Sequence, residues 1–100
     1  MIQINGKVRM GENFNEEAIE ALVKMAFTSR EEDGCIDYAF ARDLAEPNTL
    51  ILFERWRDQE ALQAHMASEH MAEFQKVMAE NPPESREIRM YVTDDGQPLG

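Results

Sequence analysis

A single cysteine, Cys35, leaves the chain with no internal disulfide and no second thiol from which a thiolate zinc site could start. Cys35 reads as a small packing residue. No stretch approaches the roughly 20 apolar residues that a bilayer-spanning helix needs, and the opening Met-Ile-Gln-Ile-Asn-Gly lacks the basic-then-apolar order of a secretory signal. The expected compartment is the cytoplasm, with no membrane partner. Cations are also scarce: ten Lys and Arg face twenty Asp and Glu, a formal charge of -10. That field repels nucleic-acid phosphates and excludes nucleic acid as a partner. Repeats, low-complexity tracts and internal linkers are missing as well, so residues 1–93 read as one domain and 94–100 as a loose tail.

Methionine, by contrast, is abundant, with seven residues whose flexible thioethers suit an irregular apolar cavity. A 100-residue chain buries only part of the surface it exposes when unfolded, and cores of that size are often completed by association.

Hydropathy periodicity divides the chain. Ile2, Ile4, Val8 and Met10 alternate with Gln3, Asn5, Lys7 and Arg9, the period of a half-buried strand. Asn13 followed by Glu16 resembles a capping box, and Ile19, Leu22, Val23 and Ala26 then recur at helical spacing to about Glu32, where Asp33-Gly34 stops the helix. Ile36, Tyr38 and Phe40 alternate within a second strand over 35–44, and Ala45-Glu46-Pro47-Asn48 supplies a turn. Thr49 to Arg57 is a third strand, whose continuous Leu50-Ile51-Leu52-Phe53 predicts burial on both faces. Asp58 caps a helix that bends at Ser68, Pro82-Pro83 ends it, and Glu87 to Thr93 alternates as a fourth strand.

The order β-α-β-β-α-β predicts an α+β, ferredoxin-like antiparallel sheet with both helical regions on one face. The other face offers about 300 Å² from standard strand spacings, and leaving it wet forfeits several kcal/mol at about 25 cal/mol/Å². A second copy packed sheet to sheet, an isologous homodimer, is the expected remedy.

Between Glu31 and Phe74 stand Glu-Glu-Asp-Gly-Cys, Tyr38-Ala39, Glu54-Arg55-Trp56 and Ala64-His65-Met66-Ala67-Ser68-Glu69-His70-Met71. In order and spacing these resemble the antibiotic biosynthesis monooxygenase family over about residues 1–93, most closely its small quinol monooxygenase type. The resemblance implies a dimeric α+β barrel with an apolar pocket between the sheet and helices of each protomer. It also implies oxidation without metal, flavin or haem, because a deprotonated quinol itself reduces dioxygen. The haem-degrading branch fits less well. Asn5 echoes its first-strand asparagine, but Gln75, Lys76 and Val77 stand where its ligating histidine is wanted.

With that resemblance, His65 is the expected base for a phenol or quinol proton and His70 the alternative. Five positions separate them, about 140° on an unbroken helix, so they converge only if the helix breaks at Ser68. Tyr38 and Trp56 are expected to hold a flat aromatic substrate. Glu54 shares a strand face with Trp56 and has two readings: a pocket residue, or the partner of Arg42, Arg55 or Arg89 at the dimer seam. Phe40, Phe53, Phe74, Met66 and Met71 are the expected apolar wall, although an unliganded core predicts the same stripe. No metal ligands are expected. Three functions follow: a cofactor-independent monooxygenase of a small aromatic, a non-redox or isomerising binding dimer, and a structural dimer whose pocket is self-filled.

Overall fold

Alternation in the first residues produces β1 (Ile2–Arg9), whose Ile2, Gly6 and Val8 are buried while Asn5, Lys7 and Arg9 are exposed. A computed structural model describes residues 1–100. The next helix, α1 (Glu16–Arg30), is capped by Asn15 and not by the predicted Asn13, with the Asn15 side chain accepting from the Ala18 N–H at 2.9 Å. The displacement has a local cause. Gly11 turns the chain at φ +60° into a 3₁₀ turn (Gly11–Asn13), and Asn13 donates across the fold to the Pro82 carbonyl at 2.6 Å. The buried helix face is accordingly Ala18, Leu22, Met25, Ala26 and Ser29, and the predicted core residue Val23 is 49% exposed.

Gly34 joins α1 to β2 (Cys35–Arg42) at φ +85°, where a Cβ would stand 2.6 Å from the Cβ of Ala61. Neither the left-handed backbone nor the space admits another residue cheaply. The predicted Ile36-Tyr38-Phe40 alternation is broken by a bulge. Cys35 faces Trp56 and Asp37 faces Arg55 on β3 (Thr49–Trp56), so Ile36 is the unpaired residue and turns outward, 44% exposed. Cys35 takes the inward place against the core, and burial pushes its thiol up to about 11.

On β3 the inward residues are Leu50, Leu52, Glu54 and Trp56, all buried, while Ile51, Phe53 and Arg55 on the other face are half-buried. The predicted burial of β3 is therefore complete only on the helix side. Asp58 caps α2 (Gln59–Met66) by accepting from Ala61 N–H, which holds its carboxyl below the usual range. Ser68 then ends that helix and begins α3 (Glu69–Glu80). Its Oγ donates to the His65 carbonyl at 2.7 Å and accepts from the Met71 N–H at 3.2 Å. Asn81 and Pro82-Pro83 stop α3 before β4 (Ser85–Val92).

The four strands pair antiparallel in the order β2-β3-β1-β4, the ferredoxin-like arrangement expected, with the helices on one face. Two apolar clusters hold the layers together. One joins Ile2, Met25, Tyr38, Trp56, Leu62 and Met71, and the other Val8, Met10, Ala18, Leu22 and Leu50. Phe40 and Phe74, stacked 6.2 Å apart, pack against both. The helices do not reach across β4, whose Ile88, Met90 and Val92 share the helix-side face yet stand exposed. No helix is long and apolar enough to cross a membrane. Residues 93–100 form neither helix nor strand, although Asp95 pairs with Arg55 at 3.0 Å.

Candidate functional site

Because β4 is uncovered and the two clusters are separated, a hollow of about 530 Å³ opens between the sheet and α3. Strand alternation aims Ile4, Val8, Phe40, Leu52 and Ile88 into it from below, and Met66, Met71, Phe74 and Met78 close it from the helices. Tyr38, Glu54, Gln75 and Arg86 are its polar side chains. Of the residues expected at a pocket, Tyr38, Phe40, Glu54, Met66, Met71 and Phe74 line this hollow.

Phe53 does not. Odd-numbered positions of β3 point to the opposite face, where Phe53 joins Gln3, Asn5, Lys7, Ile51, Glu87, Arg89 and Tyr91 around a shallow depression. Asn5 is likewise on that far face, away from the hollow. His65 and Trp56 lie behind the wall and do not line it, whereas His70 faces a separate depression between α1 and α3. Sequence reasoning passed over Arg86, which alternation places on the same face as Ile88 and Met90. It also read Glu32 only as the approximate end of the first helix.

Glu54 sits between Ile4 of β1 and Tyr38 of β2 in the strand register. It is buried, and no arginine of its own chain pairs with it. Arg55 points to the other face and bonds Asp37 and Asp95. Glu54 is held instead by the Trp56 indole, whose Nε1–H donates to Oε1 at 2.8 Å. Burial raises the Glu54 carboxyl to about 7, opposed by that hydrogen bond and reinforced by the charge of Glu32. A carboxyl poised there exchanges a proton readily at neutral pH. Burial, with Glu54 adding to it, pushes the Tyr38 phenol well above its ordinary value, so Tyr38 stays a hydrogen-bond donor.

Behind this wall the imidazole of His65 is tilted against Trp56, centroids 4.6 Å apart, and meets Tyr38 edge-on at 5.3 Å. Its Nδ1–H donates to Glu32 Oε2 at 2.5 Å, and its Nε2 is buried without a partner. Burial holds the His65 pKa below its ordinary value, against the opposing pull of Glu32. The break at Ser68 does bring the two histidines together. His70 Nε2 lies 3.1 Å from the same Glu32 oxygen and 3.2 Å from Ser68 Oγ. Glu32, His65 and His70 thus present donor atoms within 4.8 Å of one another, a set able to ligate a metal.

Comparison with known proteins adds the family. A family model described as antibiotic biosynthesis monooxygenase matches residues 1–77. The chain is 31% identical over 98 residues to the uncharacterized protein sll1783 of Synechocystis, covering 98% of this chain and 67% of that protein. It is 26% identical over 74 residues to YcnE of Bacillus subtilis, provisionally named a monooxygenase, covering 74% of this chain and 78% of that one. A Deinococcus radiodurans structure whose description carries the same family name superposes with TM-score 0.85 at 22% identity, over 100% of this chain and 99% of that one, a likeness of fold.

Proposed function

The chain belongs to the antibiotic biosynthesis monooxygenase family, and on that footing we propose that it oxidises a small quinol or phenolic aromatic with dioxygen in the hollow between sheet and helices. One observation carries the reading: a buried carboxyl, Glu54, raised to about 7 and paired with no cation, faces an apolar hollow of about 530 Å³. A hollow of that size fits a small aromatic ligand, and its few polar groups can orient one.

Glu54 takes the phenolic proton, Tyr38 donates to a substrate oxygen, and Phe40 and Phe74 supply faces on which the ring stacks. Arg86, on the exposed strand at the edge of the hollow, favours the anion so formed. The substrate is its own reductant. A quinol loses two electrons on becoming a quinone and two more as one ring C–H becomes C–OH. Those four electrons reduce one O₂ to the inserted oxygen and one water, so no metal, flavin or haem is required. Sequence reasoning gave the base role to His65. Because His65 lies behind Tyr38 and Trp56, the role passes here to Glu54, and His65 buttresses both rings.

An oxygen electrode with a panel of hydroquinones, catechols and polyketide-like phenols tests this reading. Wild type is expected to consume one O₂ per quinol without added metal, Glu54→Gln to slow by about 100- to 10,000-fold, and His65→Ala to slow less. No uptake across the panel, or full activity in Glu54→Gln, removes the mechanism. Ligand-induced stabilisation without oxygen uptake selects a binding or isomerising role instead.

The reading includes a homodimer, with two copies meeting through the far sheet face. There Ile51, Phe53 and Tyr91 stand among Lys7, Glu87 and Arg89, a mixture that lets an isologous pair match apolar area and opposite charges. Light scattering at micromolar concentration is expected to return twice the 11.5 kDa of one chain. A single-chain mass overturns it.

A further inference from the structure

We propose that Glu32, His65 and His70 form a binding site for one divalent transition-metal ion, with zinc or cobalt the best match, that ties the end of α1 to the α2–α3 corner. The site is independent of the proposed oxidation, in which the metal has no part.

The three donors come from three places in the chain. Glu32 lies in the turn after α1, His65 in the last turn of α2 and His70 in the first turn of α3. They converge only because Ser68 breaks the helix between the histidines. The atoms that meet are His65 Nδ1 and His70 Nε2, at 2.5 Å and 3.1 Å from Glu32 Oε2, with all three within 4.8 Å of one another. Zinc bonds of about 2.0–2.1 Å place tetrahedral ligand atoms about 3.3 Å apart. Reaching that geometry takes shifts of about an ångström: the carboxylate backs away from His65 and the two imidazoles close on each other.

Burial favours a metal over loosely paired side chains. The His65 side chain is 1% exposed, Glu32 17% and His70 19%. Two imidazoles and one carboxylate suit zinc, cobalt, nickel or copper and do not suit magnesium or calcium, which call for oxygen ligands. Ser68 Oγ, 3.2 Å from His70 Nε2, stands near a fourth position. A route inward is present too. His70 lines a depression of about 290 Å³ between α1 and α3 whose wall carries Glu17, Glu20 and Glu73, and the one lysine there, Lys24, pairs with Glu73 at 3.4 Å. Those carboxylates, on a chain of charge -10, concentrate cations beside the site.

The test uses chelator-treated full-length protein titrated with Zn²⁺ by calorimetry and with Co²⁺ by visible absorption, in wild type, His70→Ala and Glu32→Gln. One ion per chain is expected, with micromolar or tighter affinity, the intense d–d bands of tetrahedral cobalt, and at least tenfold weaker binding in each variant. Zinc is also expected to raise the melting temperature of wild type and not of the variants, and excess Mg²⁺ or Ca²⁺ not to compete. Histidine side-chain NMR of wild type checks the assignment without any substitution, since zinc must shift both imidazoles together. Absence of saturable binding, or binding that survives both substitutions and leaves both imidazoles unshifted, overturns the proposal. No readout needs turnover, so failure here is distinguishable from failure of the oxidase reading.

Discussion

Trp56→Ala is expected to lower the free energy of unfolding by about 3–5 kcal/mol, the usual cost of emptying a large aromatic site from a core. For a domain of this size that is a large part of a total of about 5–15 kcal/mol. Trp56 is fully buried, joins the larger apolar cluster, and packs against His65 at 4.6 Å and Tyr38 at 6.2 Å. Its indole also supplies the hydrogen bond to Glu54. Two losses therefore coincide: a cavity opens, and a buried carboxyl loses its donor. Trp56→Phe separates them, since it keeps most of the packing and removes only the donor, and it is expected to cost about 1–3 kcal/mol. It is also expected to move the Glu54 pKa further up, because that hydrogen bond holds it down. Urea denaturation of the three proteins measures the first effect. A loss below about 1 kcal/mol in Trp56→Ala would show that the wall behind the hollow is not held as described.

Glu54→Gln is expected to stabilise the protein above neutral pH while impairing the proposed reaction. The carboxyl titrates near 7 in the folded chain against 4.5 for an unperturbed glutamate. Between those values the folded state holds a proton that the unfolded state has released. The contribution of Glu54 to stability therefore falls as pH rises from about 4.5 through 7 and levels off above it. The total fall is about 3 kcal/mol, from 1.36 kcal/mol per pKa unit. The amide variant carries no such proton, so it should be close to wild type at pH 4.5 and up to about 3 kcal/mol more stable than wild type at pH 8, while His65, whose lowered pKa adds stability as pH rises, contributes equally to both. Urea midpoints at pH 5 and pH 8 decide the matter. An identical slope in both proteins would place the titrating group elsewhere and remove the basis for Glu54 as a proton acceptor.

These two residues also show what a linear reading can and cannot reach. Alternation put Glu54 and Trp56 on one strand face and left open which of them meets the pocket. Packing answers differently for each. Glu54 lies mid-sheet between Ile4 and Tyr38 and faces the hollow, whereas Trp56, two residues on, pairs with Ile2 and Cys35 at the strand end and is sealed beneath His65. Phe53 was legible as apolar but not as far-side, because an unbroken Leu-Ile-Leu-Phe run carries no phase. Ile36 was misplaced by one residue because a bulge leaves no mark in hydropathy, and Asn15 displaced Asn13 as the cap because the Gly11 turn consumed the intervening residues.

By itself the sequence determined the order of elements, the break at Ser68, the stop at Pro82-Pro83, the ferredoxin-like topology and the family, because each is written in neighbours a few positions apart. Tertiary structure alone decided that β4 escapes the helices, that a hollow opens with Glu54 facing it, and that Glu32 meets His65 and His70 across 33 and 38 positions. The physical reason is common to all three. Periodicity records which residues share a face, while what that face meets depends on how far each helix reaches over the sheet and on where distant turns bring the chain back.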